Sequence, residues 1–125
     1  MRYLIRVVVG VHLLCCMQSC IPLHNYGYPE KVSFSKNGGE KIISGDSSLM
    51  YIIIAYPNGG CDMVYSRHDS EFLYLKFDWL TVTHQTDTKE VTLIAEPNRT
   101  RKKRKLIIKC PSYVPTVDIT VVQDK

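Results

Sequence analysis

Hydrophobic and polar residues alternate along most of this chain with a period of two. Residues 31–36 (KVSFSK) place Val32 and Phe34 on one face and Ser33 and Ser35 on the other, as a half-buried strand does. Asn37-Gly38-Gly39 follows, a turn of residues that tolerate positive φ. Residues 40–44 then return as a second strand, so a hairpin is expected here. Residues 49–56 (LMYIIIAY) are almost continuously apolar and rich in β-branched and aromatic side chains, which suits a buried strand better than a helix. Pro57-Asn58-Gly59-Gly60 is a strong turn, with 61–66 (CDMVYS) as its return strand.

A polar loop at 67–71 leads into an apolar stretch at 72–77. After Trp79, Leu80 and Val82 alternate with Thr81 and Thr83. Val91, Leu93 and Ala95 share one face of 89–96, and Leu106, Ile108 and Cys110 share one face of 105–110. Pro111 and Pro115 bracket a loop, and 116–123 close the chain as a strand. No stretch sustains a helical period. Seven or eight strands in about a hundred residues, separated by frequent turns, predict an all-β fold. The expected architecture is an immunoglobulin-like antiparallel β-sandwich over residues 31–125.

The N-terminus follows a different pattern. Residues 1–6 (MRYLIR) carry two arginines and no acid, and 7–17 (VVVGVHLLCCM) are apolar apart from Gly10 and His12. A basic start and a short apolar run mark a secretory signal peptide, and the run falls short of the roughly 20 residues of a spanning helix. The other reading of 7–17 is a first core strand or buried helix. Ser19 before Cys20 resembles a bacterial lipobox, which implies a signal peptide at 1–19, an acylated (palmitate-type) Cys20 and a tether at 20–30. Cys16, with Leu13 three residues before it, is the alternative lipidation site. Each methylene buried in the bilayer contributes about 0.8 kcal/mol to such an anchor. The expected location is the cell envelope, lipid-anchored in the outer membrane and facing the periplasm, because residues 21–25 (IPLHN) hold no acidic cluster of the kind associated with surface export. Surface exposure stays open.

A length of 125 residues bounds the chain to one domain, and 45% hydrophobic with 22% charged residues excludes disorder as the default. The net charge of +4 is concentrated, since 99–105 (RTRKKRK) holds six cations in seven residues. Nucleic-acid binding calls for a broader basic face interleaved with aromatic rings, so no nucleic acid is expected. The run reads either as a solvated hairpin tip, charged against edge association, or as a contact for anionic groups. Of five cysteines, three sit near the N-terminus, and Cys61 and Cys110 lie far apart in the body. That is not zinc-site spacing. In an oxidising compartment a Cys61–Cys110 disulfide is one expectation, and two buried thiols are the other.

The second half of the chain resembles the BACON domain (Bacteroidetes-associated, carbohydrate-binding, often N-terminal). The residues that carry this are Asp78-Trp79-Leu80-Thr81-Val82, Asn98, Arg104 with alternating Leu106 and Ile108, and the close Ile119-Thr120-Val121-Val122-Gln123. The Val32–Phe34 strand with Gly38-Gly39 resembles the family's first hairpin, and Asn98 its hairpin asparagine. The resemblance covers about residues 30–125 and is weakest over 48–77, which is longer and more aromatic than the family's usual link. It implies an extracytoplasmic sandwich tied to glycan use, as a carbohydrate-binding accessory or as a spacer.

Candidate ligand contacts are aromatic, because a pyranose face packs on a π-surface. Trp79 is the lone tryptophan, and Tyr51, Tyr56 and Tyr65 crowd the atypical middle segment together with Tyr74. Each also has a plain reading, as core for Trp79 and as sheet cover for the tyrosines. The four histidines are scattered and no nucleophile turn or metal-ligand spacing occurs, so neither an enzyme nor a cofactor is expected. Two functions remain open. One is a lipoprotein module that binds a polysaccharide or mucin glycan; the other is a spacer that docks an envelope protein through a sheet edge or the tyrosine-rich middle.

Overall fold

A computed structural model describes residues 24–49, 51–59, 63–67, 72–85, 87–111 and 116–125, with the backbone alone for 24 and 63–67. Among the described residues the alternating apolar segments form nine strands: β1 (Lys31–Phe34), β2 (Gly39–Ser44), β3 (Tyr51–Ala55), β4 (Met63–Arg67), β5 (Phe72–Phe77), β6 (Leu80–Gln85), β7 (Glu90–Ala95), β8 (Arg104–Cys110) and β9 (Val117–Gln123). They make a sandwich of a five-stranded sheet, β1-β9-β8-β3-β4, and a four-stranded sheet, β2-β7-β6-β5. The all-β sandwich expected from the pattern is what the chain forms. The core is the inward face of each strand. Ile52, Ile54, Leu106, Ile108, Ile119 and Val121 come from one sheet, and Leu73, Leu75, Leu80, Val82, Val91 and Leu93 from the other, all essentially inaccessible.

Pairing departs from the sequence expectation in three places. First, β1 and β2 are not a hairpin. β1 pairs in parallel with β9, from Lys31↔Thr120 to Phe34↔Gln123, whereas β2 pairs antiparallel with β7 in the other sheet. The turn at 37–39 carries the chain around the sandwich edge instead. Gly38, at φ 75°, is pressed against the chain end of β7, where an added Cβ would lie 2.3 Å from the Ala95 carbonyl oxygen. Second, β7 and β8 are not a hairpin either. β7 belongs to the four-stranded sheet and β8 to the five-stranded one, so residues 96–103 are a crossover between layers. Third, the segment read as a tether is docked from Asn25 onward.

That docking is specific. Asn25 takes a positive φ of 60°, and its amide meets the β9 backbone twice: Nδ2 donates to Asp118 O at 2.7 Å and Oδ1 accepts from Asp118 N at 2.8 Å. Tyr28 is 3% exposed, and its hydroxyl donates to Ser47 O at 2.5 Å. Its ring covers Gly45, where a Cβ would come within 2.3 Å of the ring carbons. Residues 25–30 are part of the domain.

The one buried histidine among the described residues is also structural. His84 Nε2 accepts from Leu49 N–H at 3.2 Å, and Nδ1 lies 2.7 Å from Glu90 O, which assigns the proton to Nδ1. The ring ties β6 and β7 to the chain entering β3.

Candidate functional site

The residues of the family-like pattern come together at one end of the sandwich. Asp78 and Trp79 are the two-residue loop between β5 and β6, with Asp78 at φ 53° so that the strands can pair from Phe77↔Leu80 onward. Trp79 points inward and is 2% exposed. This corrects its reading as a sugar platform: no face of the ring meets solvent. The ring is covered by Arg104, whose guanidinium carbon lies 4.9 Å from its centroid.

Arg104 is itself held by its planar donors. Nε donates to Gln123 Oε1 at 2.7 Å, and Nη2 donates to Glu96 O at 3.2 Å and Pro97 O at 3.3 Å. Gln123, 1% exposed, uses its Nε2 for Glu96 O at 2.7 Å and Ser35 O at 3.1 Å. Asn98, 8% exposed, donates through Nδ2 to Lys102 O at 2.7 Å and Asp124 O at 2.9 Å, and accepts from Thr100 N and Oγ1 through Oδ1. Arg104, Gln123 and Asn98 satisfy carbonyls that a crossover between sheets leaves without ladder partners, and the Trp79 ring packs beneath the guanidinium. They form a structural clasp.

The other predicted rings fall in different places. Tyr56, at the end of β3, is half-buried; its hydroxyl donates to Asp78 Oδ2 at 3.1 Å and its ring meets Phe77 edge-on, with centroids 5.1 Å apart. Tyr51 is half-buried on the outer side of β3. Tyr65 lies on β4, paired with Ile53, and its side chain is outside the described residues. Cys110 is buried at the end of β8. Cys61, and with it the proposed disulfide, lies outside the described residues, as do Cys16, Cys20 and the signal segment. Tyr51, Tyr56 and Trp79 are not brought into one surface.

A different surface is built by the outer face of the four-stranded sheet. β5 alternates strictly, burying Leu73, Leu75 and Phe77 and turning Phe72, Tyr74 and Lys76 outward. Tyr74 is 60% and Phe72 55% exposed. Across the sheet, Tyr74 is in register with Thr83, Thr83 with Thr92, and Thr92 with Ile42, forming one row over all four strands. The adjacent row runs Lys76, Thr81, Ile94, Glu40. The face therefore offers two rings two residues apart on an edge strand, then a strip of threonine hydroxyls, then exposed Ile42 and Ile94. Tyr74 is one of the tyrosines of the middle segment, whereas Phe72 sits in a stretch that reads simply as apolar; the strict alternation of β5 is the signal that turns both rings outward.

Compared with known proteins, the chain matches no family model and no curated relative. Among solved structures it is similar to an NMR structure of a protein from Bacteroides thetaiotaomicron, at 14% identity and a TM-score of 0.49, over 78% of this chain and 82% of that one.

At the rim of the aromatic face Lys76 Nζ meets Glu96 Oε1 at 2.9 Å. The hydrogen bond and the charge of each partner raise the Lys76 amine above its ordinary range and hold the Glu96 carboxyl below its own. Among the described residues no group of three or more His, Cys, Asp or Glu side chains is arranged to hold a metal ion, and no helix is long and apolar enough to cross a membrane.

Proposed function

We propose that this chain is a non-catalytic, BACON-like carbohydrate-binding module of an envelope lipoprotein, tethered through an acyl chain on Cys20. The ligand is a polysaccharide or mucin glycan, bound on the outer face of the four-stranded sheet. The observation that carries this reading is the pair of exposed rings, Phe72 and Tyr74, beside the hydroxyls of Thr83 and Thr92. Rings on an edge strand stack on the apolar faces of successive sugars, and neighbouring hydroxyls exchange hydrogen bonds with the ring substituents. An open face suits an extended polymer.

Glycan arrays and pull-downs on mucin and plant polysaccharides test the reading. Binding that falls away in Phe72→Ala and Tyr74→Ala supports it, and a folded protein that binds no glycan defeats it. Exposed Ile42 and Ile94 favour a second reading, in which the same face docks an envelope protein. Affinity capture separates the two, because a stoichiometric protein partner insensitive to added glycan supports docking. Cys20→Ala is expected to release the protein from membranes; retention there contradicts the anchor.

A further inference from the structure

The other sheet carries a cavity with a different chemistry. A concavity of about 400 Å³ lies where β1, β9 and the start of β8 meet. Its cations come from two distant parts of the chain, brought together only because β1 adds in parallel to β9. Lys105, Val122 and Ser33 are one row across three strands, and Lys31 stands in the next row opposite Thr120. Lys31 and Lys105 thus sit two strands and one row apart, about 12 Å, with Val122 beside Lys105 and Thr120 beside Lys31 on the strand between them.

Of the four lining cations, Arg104 is committed to the Trp79 clasp and Lys103 lies 3.8 Å from Asp124, the one lining carboxylate. Lys31 and Lys105 have no ion-pair partner among the described residues. The lining is also not purely charged. Phe34 and Val122 give it apolar surface, and Ser33 contributes a hydroxyl. Two uncommitted ammonium groups facing across an apolar strip fit a ligand with an anionic substituent on a compact ring. The volume lies within the ordinary range for small-molecule sites, about 300–1,000 Å³.

We infer that this cavity is a binding site for an anionic sugar unit, sulfated or carboxylated, with Lys31 and Lys105 as its charge contacts. A membrane surface would offer anionic groups too, but the geometry favours a soluble ligand. The N-terminal segment reaches the sandwich at Asn25, bonded to Asp118 at the beginning of β9, whereas the cavity lies toward Gln123 at its other end. On the anchored reading above, the cavity lies toward the end of β9 farther from the attached segment. The site is independent of the Phe72–Tyr74 face and stands if that reading fails.

Calorimetric titration of the folded protein with glucose 6-sulfate, glucose and inorganic sulfate, alongside flotation with phosphatidylcholine–phosphatidylglycerol vesicles, tests this. Glucose 6-sulfate is expected to bind saturably, more tightly than inorganic sulfate and with glucose silent, and to weaken as salt rises. Lys31→Glu and Lys105→Glu are each expected to weaken it by at least about tenfold, with Phe72→Ala unchanged. Both lysines are exposed, and Lys105→Gln serves if the charge reversal perturbs folding. Absence of glucose 6-sulfate binding, binding indifferent to both lysines, inorganic sulfate binding as tightly as the sugar, or vesicle binding alone overturns the assignment.

Discussion

The Arg104 guanidinium lies over the Trp79 ring at 4.9 Å and binds Gln123 Oε1 through Nε at 2.7 Å. Trp79 closes the β5–β6 hairpin, Arg104 opens β8 and Gln123 ends β9, so this single contact ties one sheet to the other where the chain crosses between them. A lysine supplies charge but no planar fork, and it cannot stack on the ring while holding three oxygens. Arg104→Lys is expected to destabilise the fold by about 1–3 kcal/mol. Chemical denaturation followed by the fluorescence of the single tryptophan measures this; a loss near zero contradicts the clasp.

Asn98 separates hydrogen-bond donation from mere polarity. Its Nδ2 donates to two carbonyls, Lys102 O and Asp124 O. Asn98→Asp retains the acceptor for Thr100 but loses both donors and places a charge where 8% of the residue is exposed. At neutral pH it is expected to cost at least as much as Asn98→Ala, about 2–3 kcal/mol. Urea midpoints of the two variants check the ranking.

The docked segment before β1 gives a third expectation. A chain starting at Lys31 loses the buried Tyr28 ring and the Asn25–Asp118 bonds, and is expected to be less stable by about 3–5 kcal/mol than one starting at His24. Thermal melts of the two check this; equal midpoints contradict the docking of 25–30.

Strand positions were legible because burial follows period two, and β5, β7, β8 and β9 alternate as the sequence alternates. Pairing was not. Gly38-Gly39 suits a hairpin and a sheet-to-sheet corner alike, and the choice is made by the Ala95 backbone, far away in the chain. The parallel β1–β9 pair has the longest sequence separation of any ladder here and leaves no local mark. Asn98, Arg104 and Gln123 were legible as a pattern but not as partners, since their contacts are to backbone carbonyls of other segments. Tyr28 was hidden by its Gly-Pro surroundings, which look like linker. Phe72 and Tyr74 were present in the alternation, but which side of β5 faces water depends on the opposite sheet.

The rim pair Lys76–Glu96 sets a pH expectation with a definite sign. Glu96 is held below its ordinary range, so its contribution is present above the unfolded carboxylate pKa and lost as pH falls through the folded one. Both side chains are about half exposed, at 52% and 53%, so water screens the pair. Glu96→Gln is expected to leave the acid limb of the stability profile in place. A clear shift in that limb, followed by circular dichroism across acid pH, contradicts this.

The most direct test of where this protein binds its ligand is a titration with mucin O-glycans followed by backbone amide NMR shifts. The account predicts shifts at Tyr74, Thr83 and Thr92, abolished in the Phe72→Ala/Tyr74→Ala double variant, with the Trp79 indole signal unmoved. Shifts centred on Trp79 with the outer face of the four-stranded sheet silent would contradict it.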